Sequence, residues 1–214
     1  MVAKQYDHHI PANKHVFIGG RTGTGKTELL YAYTSGYPYV AVLDSKEEFD
    51  FGGYVLSDDM AIITTLDDLD YVEEPKIIYR PNVKEMNQDA YSEFFYWCYY
   101  RLNTVVVVDE FMAVSPNPSV IPEGLKACYT RGRSKYVPVW GATQRPSGIH
   151  QLCMSEADHF FIYDFNMPQD REKIYRITGV EEFLEKPGRF KFWYFNVGQE
   201  SDKADKATLV LPKR

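Results

Sequence analysis

The chain has 214 residues, 44% of them hydrophobic, and a formal net charge of −6. That is apolar material for one well-packed core, so we read 1–214 as one domain with an N-terminal extension over 1–13 and closing strands with a tail over 189–214. The negative balance excludes a uniformly basic surface, and with it strong, sequence-indifferent nucleic-acid binding by a single subunit, but leaves room for a local basic patch.

In chain order, short apolar or β-branched runs alternate with longer helical stretches, the pattern of a mostly parallel sheet covered on both faces. Strands are expected near 15–20, 39–44, 76–81, 104–109, 137–142 and 159–165, and helices near 26–34, 87–101, 121–132 and 168–178. After Val16-Phe17-Ile18, with Gly19 between, comes Gly20-Arg21-Thr22-Gly23-Thr24-Gly25-Lys26-Thr27, which spells G-x-x-x-x-G-K-[ST]. Glycines allow a tight turn that aims backbone N–H groups at phosphates. Lys26 reaches the outer phosphates, and the Thr27 hydroxyl is placed to ligate Mg²⁺. Arg21 either adds to phosphate charge compensation or lies on the surface.

Tyr39-Val40-Ala41-Val42-Leu43-Asp44 and Thr104-Val105-Val106-Val107-Val108-Asp109 are continuous apolar runs ending in a carboxylate, as in strands buried on both faces whose ends meet a ligand. Between them, the aromatic stretch 91–100 reads as a helix. Tyr91, Phe94, Phe95, Cys98, Tyr99 and Leu102 form its buried stripe, while Tyr96, Trp97 and Tyr100 spill beyond it towards a subunit contact. At the end of the 104–109 strand, Asp109 is assigned to the metal and Glu110 to the proton taken from an attacking water. Pro116, Pro118 and Pro122 then mark a loop.

The histidines His8, His9, His15, His150 and His159 lack metal-ligand spacing. Cys98, Cys128 and Cys153 form no C-x-x-C pair, which indicates neither a disulfide framework nor a zinc site and suits a reducing cytosol. The opening residues 1–6 lack the apolar stretch of a signal peptide, and no run approaches the ~18 apolar residues of a membrane span, so a soluble chain is expected. In the tail, Arg189-Phe190-Lys191-Phe192-Trp193-Tyr194-Phe195 and 207–211 suggest an antiparallel hairpin.

One strand after Asp109-Glu110 stands Val139-Trp140-Gly141-Ala142-Thr143-Gln144-Arg145-Pro146-Ser147, preceded by Arg131-Gly132-Arg133-Ser134. With the phosphate loop, the acidic pair and Asp44-Ser45-Lys46 in the place of a D-P-K, this resembles the FtsK/HerA superfamily of ring-forming, DNA-translocating ATPases over residues 15 to about 165. Ser45 departs from the usual proline. The resemblance implies an α/β P-loop NTPase fold of the RecA/FtsK/HerA kind, ATP and Mg²⁺ as cofactors, and Gln144 as the residue that senses the γ-phosphate or positions water. It also implies an arginine supplied in trans by a neighbouring subunit, with Arg131 and Arg133 as candidates. Arg145 either braces the phosphate edge or touches DNA.

The shortness of the chain resembles the genome-packaging ATPases of tailless, membrane-containing double-stranded DNA viruses. That implies a homo-oligomeric ring of six subunits acting on double-stranded DNA, with capsid-vertex or viral membrane proteins as partners. It would work in the host cytoplasm or at the packaging vertex of the virion. A cellular or plasmid DNA pump shares these motifs. Filamentous-phage morphogenesis ATPases are a second neighbour, although they usually carry a membrane span. A nucleotide or nucleoside kinase would keep the phosphate loop but has no use for a water-activating base.

Overall fold

Runs of valine and isoleucine too apolar for a half-exposed strand become the centre of a sheet covered on both faces. The computed structural model describes residues 10–209. Among them lie strands β1 (Val16–Gly19), β2 (Tyr39–Leu43), β3 (Met60–Ile63), β4 (Lys76–Tyr79), β5 (Thr104–Val108), β6 (Val139–Thr143), β7 (His159–Ile162), β8 (Lys191–Asn196) and β9 (Asp205–Thr208). They form one sheet in the order β3-β4-β2-β5-β6-β1-β7-β8-β9. The pairings from β3 across to β7 are parallel, and β8 and β9 close the sheet antiparallel.

Alternation along each strand sends side chains to opposite faces. Phe17, Val106 and Val108 belong to the core on one face, together with residues of helices α2 (Gln88–Arg101) and α4 (Glu123–Arg131). Ile18, Val105, Val107 and Trp140 point to the other, beneath α1 (Lys26–Thr34). Trp140 is fully buried, with the rings of Tyr33 and Tyr37 at 5.5 and 5.8 Å. Two short helices, α3 (Phe111–Val114) and α5 (Leu152–Ser155), and a longer one, α6 (Pro168–Thr178), complete the covering. No helix among the described residues is long and apolar enough to cross a membrane.

Several expectations need correction. β3 was not foreseen: its four residues Met-Ala-Ile-Ile follow Ser57-Asp58-Asp59 at the sheet edge, the first three partly or well exposed and only Ile63 buried, and pairing with β4 defines the strand. Leu102 does not join the buried stripe of α2. It takes a left-handed backbone (φ 64°) that ends the helix, and it is exposed. Tyr91, Phe94, Phe95 and Cys98 are buried as expected. The last strand begins at Asp205, two residues before the expected start. Residues 1–9 with His8 and His9, and 210–214 with the rest of the expected last strand, lie outside the described residues.

Candidate active site

Because β1, β2, β5, β6 and β7 run parallel, the residues that follow them share one edge of the sheet, where open α/β sheets bind ligands. The loop after β1 turns into α1 at Gly25, whose φ of 101° is open to glycine and strained for other residues. No side chain caps α1, so the orphan N–H groups of its first turn are available to an anion. At Gly20 a Cβ would fall 2.6 Å from the Tyr163 Cβ, so glycine lets the loop lie directly against the end of β7. The Gly20 N–H donates to Thr143 O (3.1 Å) and the Arg21 N–H to Asp164 O (2.7 Å). Neighbouring strands thereby fix both sides of the turn.

Lys26 and Thr27 open α1. The Lys26 ammonium donates to the Arg21 carbonyl (3.2 Å), and the Thr24 hydroxyl donates to the same oxygen (2.8 Å). Burial lowers the Lys26 pKa to about 8, against the pull of Glu110 and Asp109. Thr27 Oγ1 donates to Asp109 Oδ1 at 3.3 Å. Asp109 is 8% exposed, and burial raises its pKa against the opposing effects of Lys46 and Thr27. A hydroxyl and one carboxylate side by side fit a small hard cation that takes its remaining oxygens from phosphate and water. No group of three or more His, Cys, Asp or Glu among the described residues is arranged to hold a metal by itself.

β6 lies between β1 and β5 in the sheet, which places Gln144 between the phosphate loop and the acidic pair. Thr22 Oγ1 donates to Gln144 Oε1 at 2.6 Å. Glu110 is 7% exposed; one oxygen accepts from the Met112 N–H (3.4 Å) and the other meets Lys46 Nζ at 3.4 Å. Lys46 reaches it because Asp44 holds the turn after β2. Asp44 is fully buried and accepts from the N–H groups of Glu48 (3.2 Å) and Phe49 (2.9 Å) and from Arg80 Nε (3.0 Å). An aspartate so saturated is a brace: removing Arg80 would strand a buried charge, at a cost of about 3–5 kcal/mol.

A cavity of about 570 Å³ is lined by Thr22, Gly23, Thr24, Gly25, Lys26, Thr27, Asp109, Glu110 and Gln144, within the size range of small-molecule sites. The sequence reading missed several of its other walls. Lys46 was noticed only as part of a motif; Tyr163, Phe190 and Leu209 were not placed there at all. No local pattern marks these residues, since the fold alone brings them to the loop.

The expected arginines are elsewhere. Arg21 does not line the cavity; its half-exposed guanidinium pairs with Asp164 (3.6 Å). Arg145 pairs with the buried Asp170 at 3.3 Å, which braces the segment after β6 against α6. Arg131 ends α4 and is exposed, and Arg133 follows it; both precede β6 and so lie towards the opposite edge of the sheet. Arg133 is engaged there, donating to the Glu156 carbonyl (2.6 Å) and pairing with Asp158 (3.3 Å).

No protein-family model matches the chain. Over 207 residues it is 25% identical to the DNA packaging ATPase P9 of Enterobacteria phage PRD1, covering 86% of this chain and 83% of that one. Its fold superposes on the genome packaging NTPase B204 of Sulfolobus turreted icosahedral virus 2, solved with AMPPCP, with a TM-score of 0.76 at 15% identity over 94% of this chain and 100% of that one. It also matches the pCW3 conjugation coupling protein TcpA, solved with ATPγS, with a TM-score of 0.56 at 13% identity over 93% of this chain and 61% of that one. The chain therefore has the α/β P-loop NTPase fold of these proteins, and within that fold it resembles the genome-packaging ATPases of viruses.

Proposed function

We propose that this chain is an ATP-hydrolysing motor that drives double-stranded DNA into a preformed viral capsid. One observation carries the hydrolytic part: a phosphate-binding loop, a hydroxyl–carboxylate pair and two groups suited to handling water, Glu110 and Gln144, meet in one cavity. The packaging part is supported by the resemblance to P9 and B204.

The loop N–H groups and the Lys26 ammonium hold the β- and γ-phosphates of ATP, and Thr27 and Asp109 are the residues that would hold Mg²⁺. When bound, the ion supplies positive charge at the phosphate oxygens. Glu110 accepts a proton from the attacking water. The Gln144 amide, a donor and an acceptor in one group, bridges that water and the γ-phosphate. The chain works as a homohexameric ring in which Arg131 or Arg133 reaches the neighbour's γ-phosphate. An acidic subunit tolerates this role because only pore-facing groups need meet DNA phosphates. The ring acts in the host cytoplasm and at the packaging vertex, docked on capsid-vertex or viral membrane proteins.

Resemblance to TcpA supports a second reading, a plasmid DNA pump with the same pocket. Phosphate release with and without duplex DNA tests what the two readings share. Turnover should rise severalfold with DNA, and Lys26→Ala should lose nucleotide binding and turnover. Full activity of Lys26→Ala would overturn the site; transfer of phosphate to an added nucleoside in place of water would convert the reading to a kinase. Stimulation by capsid-vertex proteins then separates the packaging motor from the pump.

A further inference from the structure

Strand order divides the cavity into two chemically distinct ends. On one side of β1, β6 and β5 deliver Gln144, Asp109 and Glu110. On the other, Tyr163 follows β7, Phe190 precedes β8 and Leu209 follows β9. Because β8 and β9 are antiparallel to one another, the start of the first and the end of the second rise at the same edge as the phosphate loop. A nucleotide with its terminal phosphate between the loop and the acids must therefore extend its other end towards β7, β8 and β9.

That end is apolar and partly open. Tyr163 is buried, its ring 5.2 Å from that of Phe192, and forms a fixed wall. Phe190 is 57% exposed, a large ring left at the cavity rim. Its backbone has a φ of 56°, a conformation uncommon for a bulky residue. The turn that holds it there begins at Gly188 (φ 104°), and the Arg189 guanidinium lies 4.8 Å from the centroid of the Phe190 ring. Residues kept in such backbone regions concentrate at ligand clamps.

We infer that the closing hairpin is a nucleobase shelf, in which Phe190 stacks on the base of the bound nucleoside triphosphate and Tyr163 and Leu209 close the apolar end. The inference rests on the nucleotide-hydrolysing reading above. It also names a substrate class: nucleoside triphosphates held by the face of the base rather than by its edge, because every base has a π-face on which an aromatic ring can stack.

Binding of ATP, GTP and inorganic tripolyphosphate to the full chain, to Phe190→Ala and to Phe190→Tyr tests it. Phe190→Ala should weaken ATP and GTP together by about tenfold, towards the lower end for base–aromatic stacking at a half-open site. It should leave tripolyphosphate, which has no base, unchanged, and Phe190→Tyr should restore both nucleotides. Equal ATP affinity for Phe190→Ala and the parent overturns the shelf. So does an equal loss for tripolyphosphate, which would make Phe190 a support for the loop or a subunit contact. Lys26→Ala provides the separate control: if it leaves tripolyphosphate binding intact, the phosphate-loop reading itself fails and the shelf falls with it.

Discussion

The two edges of the central sheet each carry a knot of charge, and they are built on opposite plans. At the edge before β1, β6 and β7, Asp158 gathers Lys14 (3.1 Å), Arg133 (3.3 Å) and the His15 N–H (2.9 Å), while His15 Nδ1 accepts from the Val139 N–H (2.9 Å). Those groups pair with one another and tie three strand starts together. At the other edge, Lys26, Lys46, Asp109 and Glu110 face a cavity beside an uncapped helix N-terminus. Charges that saturate each other hold a fold, whereas charges collected around open N–H groups are arranged for a ligand.

The same contrast separates Arg131 from Arg133. The Arg131 side chain is exposed and makes no hydrogen bond or ion pair with the described residues, while Arg133 is part of the knot. Arg131→Ala should therefore produce the largest effect, a loss of turnover on the order of 10³–10⁵-fold, the range for an arginine finger, with the melting temperature unchanged. Arg133→Ala should lower the melting temperature first. Mixing Arg131→Ala with Lys26→Ala protein should recover activity at hybrid interfaces, and failure of every mixture would sink a finger in trans. A normal rate for Arg131→Ala beside a dead but fully stable Arg133→Ala would reverse the assignment. Next in size, Glu110→Gln should bind ATP as the parent does but turn over about 10²–10⁴-fold more slowly, as read by single-turnover phosphate release. Unchanged chemistry there would leave proton removal to some other group.

How much of this could be read in advance follows from where the physics is local. The strand of four valines and the phosphate loop announce themselves because burial on both faces and a phosphate-cradling turn each dictate residue types over a short run. The order of the acidic pair and Gln144 along the chain was equally legible. Their adjacency was not, because it depends on β6 sitting between β1 and β5. Lys46 meets Glu110 from a turn that the buried Asp44 holds together with the partly exposed Arg80, groups contributed by the ends of β2 and β4. The cavity's apolar end draws single residues from three strand ends, and β3 is a strand mainly through its pairing with β4.

Acid should expose the edge that holds His15 more than the cavity. His15 is fully buried, and burial, aided by Arg133 and opposed by Asp158, lowers its pKa from 6.5 to about 4. The unfolded chain then binds the proton first as pH falls from 6.5 towards 4, so stability present above pH 6.5 drains away across that window. The full loss is about 3 kcal/mol, of which about 2 kcal/mol is gone at pH 5. Urea unfolding at pH 7 and pH 5 should show this difference for the parent and not for His15→Asn. The same slope in both proteins would assign the loss to other groups.

The cavity answers to base, and more gently. With its pKa lowered from 10.5 to about 8, chiefly by burial, Lys26 sheds its proton in the ligand-free protein at a pH where an exposed lysine keeps it. A triphosphate placed against the amine favours the ammonium and raises that pKa again. Below about pH 7 the charge is already present and binding takes up no proton here. Above pH 8 each binding event must return one, so affinity should fall by up to about tenfold per pH unit until the bound-state pKa is reached. Calorimetry at pH 9 in two buffers of different ionisation enthalpy should report the uptake of close to one proton, and Lys26→Arg, whose charge does not titrate in this range, should report none. An affinity level from pH 7 to 9.5, with no proton uptake, would mean that the loop holds phosphate by its N–H groups alone and that the lysine beside it contributes no charge.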